Sequence, residues 1–238
     1  MTSPAQAFTL KVAAAALVAA SAASFSPASA AAAPYGGAIQ EGIPIYLDHN
    51  FDGRTDKRCT LGAIIRYGGI LQGVTARHCV VGRRSANVYA YNRQTGRYFY
   101  LGPTGRFWYD YDLVLIELNR GQAYIPRTTA VYFATSISRP AQIYKVGSTT
   151  GVTYGTIQPQ NIKRVHWNSP SDEYNNTSND LRVFNWSANL YTKPGDSGGP
   201  VYFRNGKYAN YVFGIVSGGD GNKASIAPLA PIAGRNAR

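Results

Sequence analysis

Short stretches rich in apolar, β-branched and aromatic residues recur along this chain, and glycine, proline and asparagine separate them. Runs of this kind between turn residues predict β-strands. Residues 61–67 and 70–76 flank Gly68-Gly69, a pair suited to the two-residue turn of a hairpin. Because no comparable helical pattern follows residue 30, the chain is predicted to be all-β, with enough strands for two barrels. The further predicted strands are residues 87–91, 97–101, 113–118, 142–146, 152–157, 181–188, 199–203 and 208–217.

The first 30 residues follow a different pattern. Lys11 precedes an apolar run over residues 12–20, and Ala28-Ser29-Ala30 ends the segment with small residues. This order is typical of a secretory signal peptide, and its apolar core is too short for a membrane anchor. We therefore predict a secreted, extracellular protein without stable membrane insertion. Residues 31–125 are predicted to form an N-terminal barrel and residues 126–238 a C-terminal barrel.

Basic residues outnumber acidic ones. The chain has 24 Lys and Arg against 12 Asp and Glu, a net charge of +12, and loss of Lys11 with the signal peptide leaves +11. Arginine and aromatic residues interleave over residues 93–111, a pattern that a polyanion-binding face could use. No nucleic-acid-binding motif accompanies it. We interpret these residues as solvated strand edges and expect no nucleic-acid partner.

The two cysteines are Cys59 and Cys79. In an exported protein an even pair favours a disulfide over a metal or redox site. A bridge between them would close a loop of about twenty residues, worth on the order of 3 kcal/mol in chain entropy.

The stretch PGDSGGPVY surrounds Ser197 with one acid and two glycines. Gly198 and Gly199 lack Cβ atoms, so the backbone can turn tightly and another segment can approach closely. This pattern predicts a nucleophile. A serine hydroxyl is a weak nucleophile on its own, so the role requires a base and an orienting carboxylate elsewhere in the chain.

Only three histidines could supply the base. His78 lies in VTARHC, directly after a predicted strand and before Cys79, so a disulfide would fix the backbone beside its imidazole. His49 and His166 lie in polar segments and are predicted to be ordinary surface histidines. His78 is therefore the candidate base.

The orienting acid must accept the other ring N–H of the histidine and stabilise the imidazolium. The sequence WYDYDLVLIEL offers Asp110 and Asp112, both just before an apolar strand. Asp112 directly precedes the buried run and is favoured, with Asp110 as the alternative.

The segments VTARHC, DLVLIEL and PGDSGGP, in the order His, Asp, Ser, resemble those of chymotrypsin-like serine peptidases. RCTLG, VGSTTG, KPGDSGGP and VSGGDGN are similar, more narrowly, to segments of streptogrisin-type secreted bacterial peptidases. The resemblance implies two six-stranded antiparallel β-barrels with the active site in the cleft between them. It also implies a triad of His78, Asp112 and Ser197, and no cofactor or metal.

The resemblance further implies roles for backbone groups. The N–H groups of Gly195 and Ser197 would form the oxyanion hole, which holds the charge that develops on the carbonyl oxygen. Ser217, Gly218 and Gly219 would form the strand edge to which an extended peptide adds, and the glycines would leave room for a side chain to enter the primary pocket.

The chain departs from this family near Asp196. Its AAAPYGGAI segment differs from the Ile-Val-Gly-Gly terminus that animal relatives expose by cleavage, so Asp196 needs a cation other than a new terminal ammonium. By the streptogrisin likeness a basic side chain before GSTTG serves this purpose. Lys145 is the nearest candidate, although Val146 could occupy the matching position instead.

The primary pocket also departs from the family. Tyr191 and Lys223 stand where streptogrisin-like enzymes have a further disulfide. Tyr191 is a candidate substrate-binding residue that suggests a restricted pocket, whereas Asp220 could attract a basic side chain. The sequence leaves the cleavage preference open.

The segment DHNFDGRTD, residues 48–56, resembles the first half of a calcium loop. An EF-hand requires a bidentate acid at its twelfth position, which here is Cys59. We interpret the segment as a polar turn before the first core strand, with calcium as the alternative.

The leading hypothesis is a secreted, monomeric serine endopeptidase that acts on protein or peptide substrates through an acyl-enzyme. One alternative is a non-catalytic exported binding protein that uses a basic, aromatic surface on a peptidase fold. The other is an esterase-like serine hydrolase with the same triad.

Overall fold

The computed structural model describes residues 39–80, 85–92, 95–118, 125, 127–169 and 179–233, and the predicted signal peptide lies outside these ranges. In these ranges the strands are accompanied by short 3-10 helices at Arg77–Cys79, Tyr109–Tyr111 and Ala230–Ala233. The fifteen strands of the described part are β1 (Pro44–Asp48), β2 (Lys57–Thr60), β3 (Ala63–Tyr67), β4 (Ile70–Ala76), β5 (Asn87–Asn92), β6 (Arg97–Trp108), β7 (Leu113–Ile116), β8 (Ser136–Ile137), β9 (Ala141–Gly147), β10 (Gly151–Ile157), β11 (Gln160–Asn161), β12 (Lys163–Ser169), β13 (Asn179–Thr192), β14 (Pro200–Phe203) and β15 (Val212–Pro228).

The N-terminal sheet contains seven antiparallel strands in the order β2-β1-β5-β6-β7-β4-β3. Its two edge strands, β2 and β3, are separated in sequence by only Leu61 and Gly62. The N–H of Gly62 donates to Val74 O at 2.7 Å, so the segment that joins β2 to β3 is hydrogen-bonded to β4. The sheet therefore curls on itself into a half-barrel.

The C-terminal sheet contains six antiparallel strands in the order β10-β9-β14-β15-β13-β12. An additional pairing joins β10, the first strand of this order, to β13, the last but one, and so closes the sheet into a barrel. The two short strands β8 and β11 pair separately. The predicted class, an all-β chymotrypsin-like two-barrel fold, is confirmed, with the N-terminal sheet as a seven-stranded half-barrel rather than a six-stranded barrel.

Alternation along the strands produces two apolar cores. In β5, Val88 and Ala90 are buried while Tyr89 and Tyr91 are only partly covered, as the period-two pattern predicts. The core of the N-terminal sheet continues into residues of the other sheet, including Ile215. This shared packing holds the two sheets together.

The strand ends differ from the prediction where glycine and proline interrupt the pattern. β4 begins and ends as predicted, but β6 continues to Trp108 past Gly102 and Pro103. A register shift near Gly102, which has φ +145, lets the ladder resume. Five strands were not predicted, because each is short or polar: β1, β2, β8, β11 and β12. The domain boundary near residue 125 stays a prediction.

Candidate active site

Ser197 lies in the turn between β13 and β14. The turn contains Gly198 at φ +84, and a Cβ at this position would lie 2.1 Å from Thr75 Oγ1. Only glycine fits there. The N–H of Gly198 donates to Val216 O at 2.7 Å, and Ser197 O accepts the N–H of Thr60 at 2.8 Å. The backbone of the candidate nucleophile is therefore held from both sheets.

His78 occupies the 3-10 helix that directly follows β4. Its neighbour Cys79 forms a disulfide with Cys59 of β2, as predicted. The ring Nε2 of His78 lies 2.9 Å from Ser197 Oγ, and Nδ1 lies 2.8 Å from Asp112 Oδ2. The structure thus brings the three predicted triad residues into one hydrogen-bonded row.

Asp112 follows the 3-10 helix Tyr109–Tyr111 in a left-handed conformation and is fully buried. Its Oδ1 accepts the backbone N–H of His78 at 2.8 Å, and its Oδ2 also accepts the hydroxyl of Ser217 at 2.6 Å. Asp110 is exposed on the same helix. Asp112, rather than Asp110, therefore lies at the imidazole.

These contacts define which imidazole nitrogen can act as a base. An ionised Asp112 carboxylate only accepts hydrogen bonds, so Nδ1 of His78 must carry the proton that it donates. Nε2 is then the acceptor, directed at the hydroxyl of Ser197. This arrangement can remove a proton from Ser197 and return it to a leaving group.

Gly195 has φ +95, and its carbonyl oxygen accepts the hydroxyls of Thr60 at 2.8 Å and Ser148 at 2.7 Å. Among the described residues, the N–H groups of Gly195 and Ser197 have no hydrogen-bond acceptor. Two backbone donors beside the candidate nucleophile are thus available to an incoming oxygen, which is the requirement for an oxyanion hole.

Asp196 is fully buried beside the fully buried Lys145, and the Nζ of Lys145 lies 3.1 Å from Asp196 Oδ2. The N–H groups of Thr149 and Thr150 donate to Oδ1 at 3.0 Å each. The hydroxyl of Thr150 and the N–H of Lys193 donate to Oδ2 at 2.7 and 3.1 Å. Lys145, rather than the alternative Val146, therefore contacts this carboxylate.

Burial and pairing act in opposite directions on this ion pair. Burial favours a neutral Asp196, but hydrogen bonds from Thr150 and Lys193 and the charge of Lys145 outweigh it and lower the pKa of the carboxyl. Burial lowers the pKa of Lys145, and the neighbouring Asp196 offsets part of that change. The pair is stable as ions because its hydrogen bonds replace water.

The predicted peptide-binding edge lies on β15. This strand pairs with β14 over residues 212–215 and with β13 over residues 221–226, which leaves Ser217–Gly219 outside both ladders. The side chain of Ser217 is buried against Asp112, so only its backbone could face a substrate.

Tyr191, near the end of β13, is 37% exposed, and Lys193 Nζ lies 5.8 Å from the centre of its ring. Lys223 pairs with Asn189 in the adjoining ladder. The side chain of Asp220 lies outside the described part.

The prediction that His49 is an ordinary surface histidine was wrong. His49 is largely buried, and its Nε2 lies 2.9 Å from Cys79 O, because the turn after β1 folds against the disulfide. The backbone of His166 belongs to β12 rather than to a loop, and its side chain lies outside the described part.

The segment at residues 48–56 forms a polar turn between β1 and β2. Asp48 Oδ2 accepts the N–H of Gly53 at 3.1 Å, and Asp56 Oδ2 accepts the N–H of His49 at 2.8 Å. Among the side chains that the structure describes, no three His, Cys, Asp or Glu residues form a group that could hold a metal ion. Calcium binding here stays an untested alternative.

The model of the family described as Trypsin matches residues 50–233, more than three quarters of the sequence. The chain belongs to the trypsin family. It is thus a chymotrypsin-like serine peptidase by family, as the order of its His, Asp and Ser segments predicted. No curated protein sequence matches this chain.

Solved structures of bacterial proteases have the same fold as this trypsin-family chain. Thermobifida fusca protease A is 19% identical with a TM-score of 0.56, and the match covers 82% of this chain and 94% of that one. Cellulomonas bogoriensis chymotrypsin is 21% identical with a TM-score of 0.55 and the same coverage. Nocardiopsis protease is 19% identical with a TM-score of 0.54, and the match covers 85% of this chain and 100% of that one.

Within the residues described, no helix is long and apolar enough to cross a membrane.

Proposed function

We propose that this trypsin-family chain is a secreted serine endopeptidase that hydrolyses peptide bonds through His78, Asp112 and Ser197. The observation that supports it best is the continuous row from Asp112 Oδ2 through both ring nitrogens of His78 to Ser197 Oγ, with separations of 2.8 and 2.9 Å. A binding protein would place no chemical demand on this row, so it argues against the non-catalytic alternative.

The proposed reaction has two halves. Nε2 of His78 takes the proton of Ser197 Oγ as the oxygen attacks the peptide carbonyl carbon, and the carbonyl oxygen gains negative charge. The N–H groups of Gly195 and Ser197 donate to that oxygen. His78 then gives its proton to the leaving amine as the carbon–nitrogen bond breaks, which leaves an acyl-enzyme and a new peptide terminus.

The second half repeats this chemistry with water. His78 removes a proton from water as the water oxygen attacks the acyl carbon. The bond between that carbon and Ser197 Oγ then breaks, His78 returns the proton to Oγ, and the acyl product leaves as a carboxylic acid. The residues before the scissile bond would pair with Ser217–Gly219, and the side chain entering the primary pocket would meet Tyr191. We also propose that the chain forms two barrels divided near residue 125, that it is a monomer and that it is exported.

Active-site labelling tests the proposal. A fluorophosphonate probe should label folded wild-type protein at mildly alkaline pH and should not label Ser197→Ala. Ser136→Ala, an exposed serine on β8, is the matched control and should label normally. A folded wild type that takes up no label would contradict the enzymatic function.

Substrate choice separates endopeptidase from esterase activity. We expect mass spectrometry to find cuts at internal bonds of an unfolded protein such as casein. Hydrolysis of simple esters with no cleavage of casein would favour the esterase alternative. Recovery of the protein from culture medium without residues 1–30 would test export.

A further inference from the structure

Arg58 is an exposed cation of β2 that contacts the opposite sheet. Its Nη2 donates to Thr149 Oγ1 at 2.9 Å, in the connection between β9 and β10. A Cβ built on Gly195 would lie 3.2 Å from the same nitrogen. Across the described part Arg58 forms no salt bridge, so a carboxylate partner does not account for its position.

Thr149 also contacts the turn that precedes Ser197. Its hydroxyl donates to Pro194 O at 2.8 Å. A hydroxyl has one proton to donate, and Arg58 already donates to the oxygen. The proton of Thr149 is therefore directed at Pro194 O, and Thr149 presents a donor to the Pro194–Gly195 peptide.

The orientation of that peptide determines where the N–H of Gly195 points. In a trans peptide the C=O and N–H groups point in opposite directions, and no cis peptide occurs in the described part. With Pro194 O held by Thr149, the N–H of Gly195 faces away from Thr149. Rotation of the peptide would instead set that N–H against the Thr149 donor and remove one donor from the oxyanion hole.

Glycine adopts both peptide orientations readily, so contacts from other residues must fix the orientation of the peptide at Gly195. We infer that Arg58 and Thr149 are positioning residues that keep the Pro194–Gly195 peptide in the orientation required by the oxyanion hole. The inference rests on the proposed function. It also gives β2 a double role, because Cys59, the next residue after Arg58, carries the disulfide beside His78.

Thr149→Val removes the hydroxyl with little change in shape, and Thr149→Ser retains it. Complete loss of one oxyanion donor lowers kcat about 10²–10³-fold. Because Thr149→Val frees the peptide without deleting the donor, we expect kcat for a peptide amide to fall about tenfold with KM within about twofold. Thr149→Ser should restore kcat to within about threefold of wild type.

Arg58→Ala should lower kcat about threefold, because the Thr149 hydroxyl is then free to turn. If Arg58 acts through Thr149, adding Arg58→Ala to Thr149→Val should cause no further loss, which a double-mutant cycle measures. Arg66→Ala, an exposed arginine of β3, is the charge-matched control and should match wild type.

A peptide aldehyde provides a second measurement, since its adduct with Ser197 places an oxygen in the oxyanion hole. Thr149→Val should weaken its inhibition about tenfold, while inhibition by the matching product peptide stays unchanged. Sites are counted by fluorophosphonate titration, and folding is checked by urea denaturation, so misfolded protein does not mimic the effect.

Three results would overturn the inference: a Thr149→Val kcat within twofold of wild type, an equal loss in Thr149→Ser, or losses that multiply in the double variant. Failure of the proposed function is distinguishable, because wild type would then neither take up label nor cleave any peptide. That result would remove the basis of the positioning role as well.

Discussion

Two buried carboxylates, Asp112 and Asp196, lie in different surroundings near Ser197. Both are fully buried. Asp112 accepts hydrogen bonds from the backbone and ring of His78 and from the hydroxyl of Ser217, and none of these groups carries a permanent charge. Asp196 instead contacts the ammonium of Lys145 and four further hydrogen-bond donors, at Lys193, Thr149 and twice at Thr150.

The difference follows from what each carboxylate has to stabilise. In the proposed mechanism the partner of Asp112 becomes positive only while the imidazole holds the proton of Ser197. A permanent cation at Asp112 would weaken its stabilisation of that transient charge. Asp196 holds a turn that must stay fixed in every step, so a permanent ion pair suits it. Changes at Asp112 should therefore act mainly on catalysis, and changes at the Asp196 ion pair mainly on stability.

The largest expected effect is on catalysis, from Asp112→Asn. The change keeps the side-chain size but replaces a carboxylate oxygen with an amide donor, so the imidazole tautomer is no longer fixed, and kcat should fall about 10⁴-fold. Urea denaturation should detect a smaller change in the free energy of unfolding than for loss of Lys145. Steady-state kinetics on a peptide amide measures the first effect.

Asp110→Asn is the matched control, since Asp110 is an exposed carboxylate two residues away. Its kcat should stay within about twofold of wild type. If Asp110→Asn lost as much activity as Asp112→Asn, the assignment of the acid would be wrong.

The next effect is on stability, from Lys145→Met. This variant leaves a buried carboxylate without its cation, which typically costs about 3–5 kcal/mol. The free energy of unfolding from urea titration should fall by that amount. Lys163→Met removes an exposed lysine on β12 and should change it by less than about 0.5 kcal/mol. Equal destabilisation by the two variants would contradict the role given to Lys145.

The smallest effect is the dependence of stability on acid. The pKa of Asp196 is lower in the folded state than its ordinary value of 3.8, so ionised Asp196 stabilises the fold above about pH 4. That contribution disappears as the pH falls through the folded-state value, at no more than about 1.4 kcal/mol per pH unit. The difference in unfolding free energy between wild type and Asp196→Asn/Lys145→Met, measured from pH 6 to pH 2, should shrink below pH 4. A constant difference would contradict the lowered pKa.

The sequence alone predicted those features of the structure that depend on a local pattern of residues. The β-rich run and the Gly68-Gly69 turn predicted the ends of β4, and the apolar run after Asp112 predicted β7. The approach of Gly198 to the other sheet was also foreseeable, because a pair of glycines next to a serine is a local feature.

Contacts between distant residues could not be predicted in this way. The hydroxyl of Ser217 donates to Asp112 across 105 positions, and Arg58 donates to Thr149 across 91. Nothing in the local pattern distinguishes these side chains from other polar residues, since only the packing of the two sheets brings them together. Whether Lys145 or Val146 contacts Asp196 could not be predicted for the same reason. Neighbouring strand residues point to opposite faces, and only the packing of the fold determines which face meets Asp196.

The cation that stabilises Asp196 is an internal side chain, 51 positions earlier in the same chain. Forming this ion pair requires no cut and no new terminus, so folding by itself completes the turn around Ser197. A peptidase assembled in this way has no latent form at this carboxylate. Conditions that unfold the protein, such as acid that protonates Asp196, would therefore also disassemble this turn.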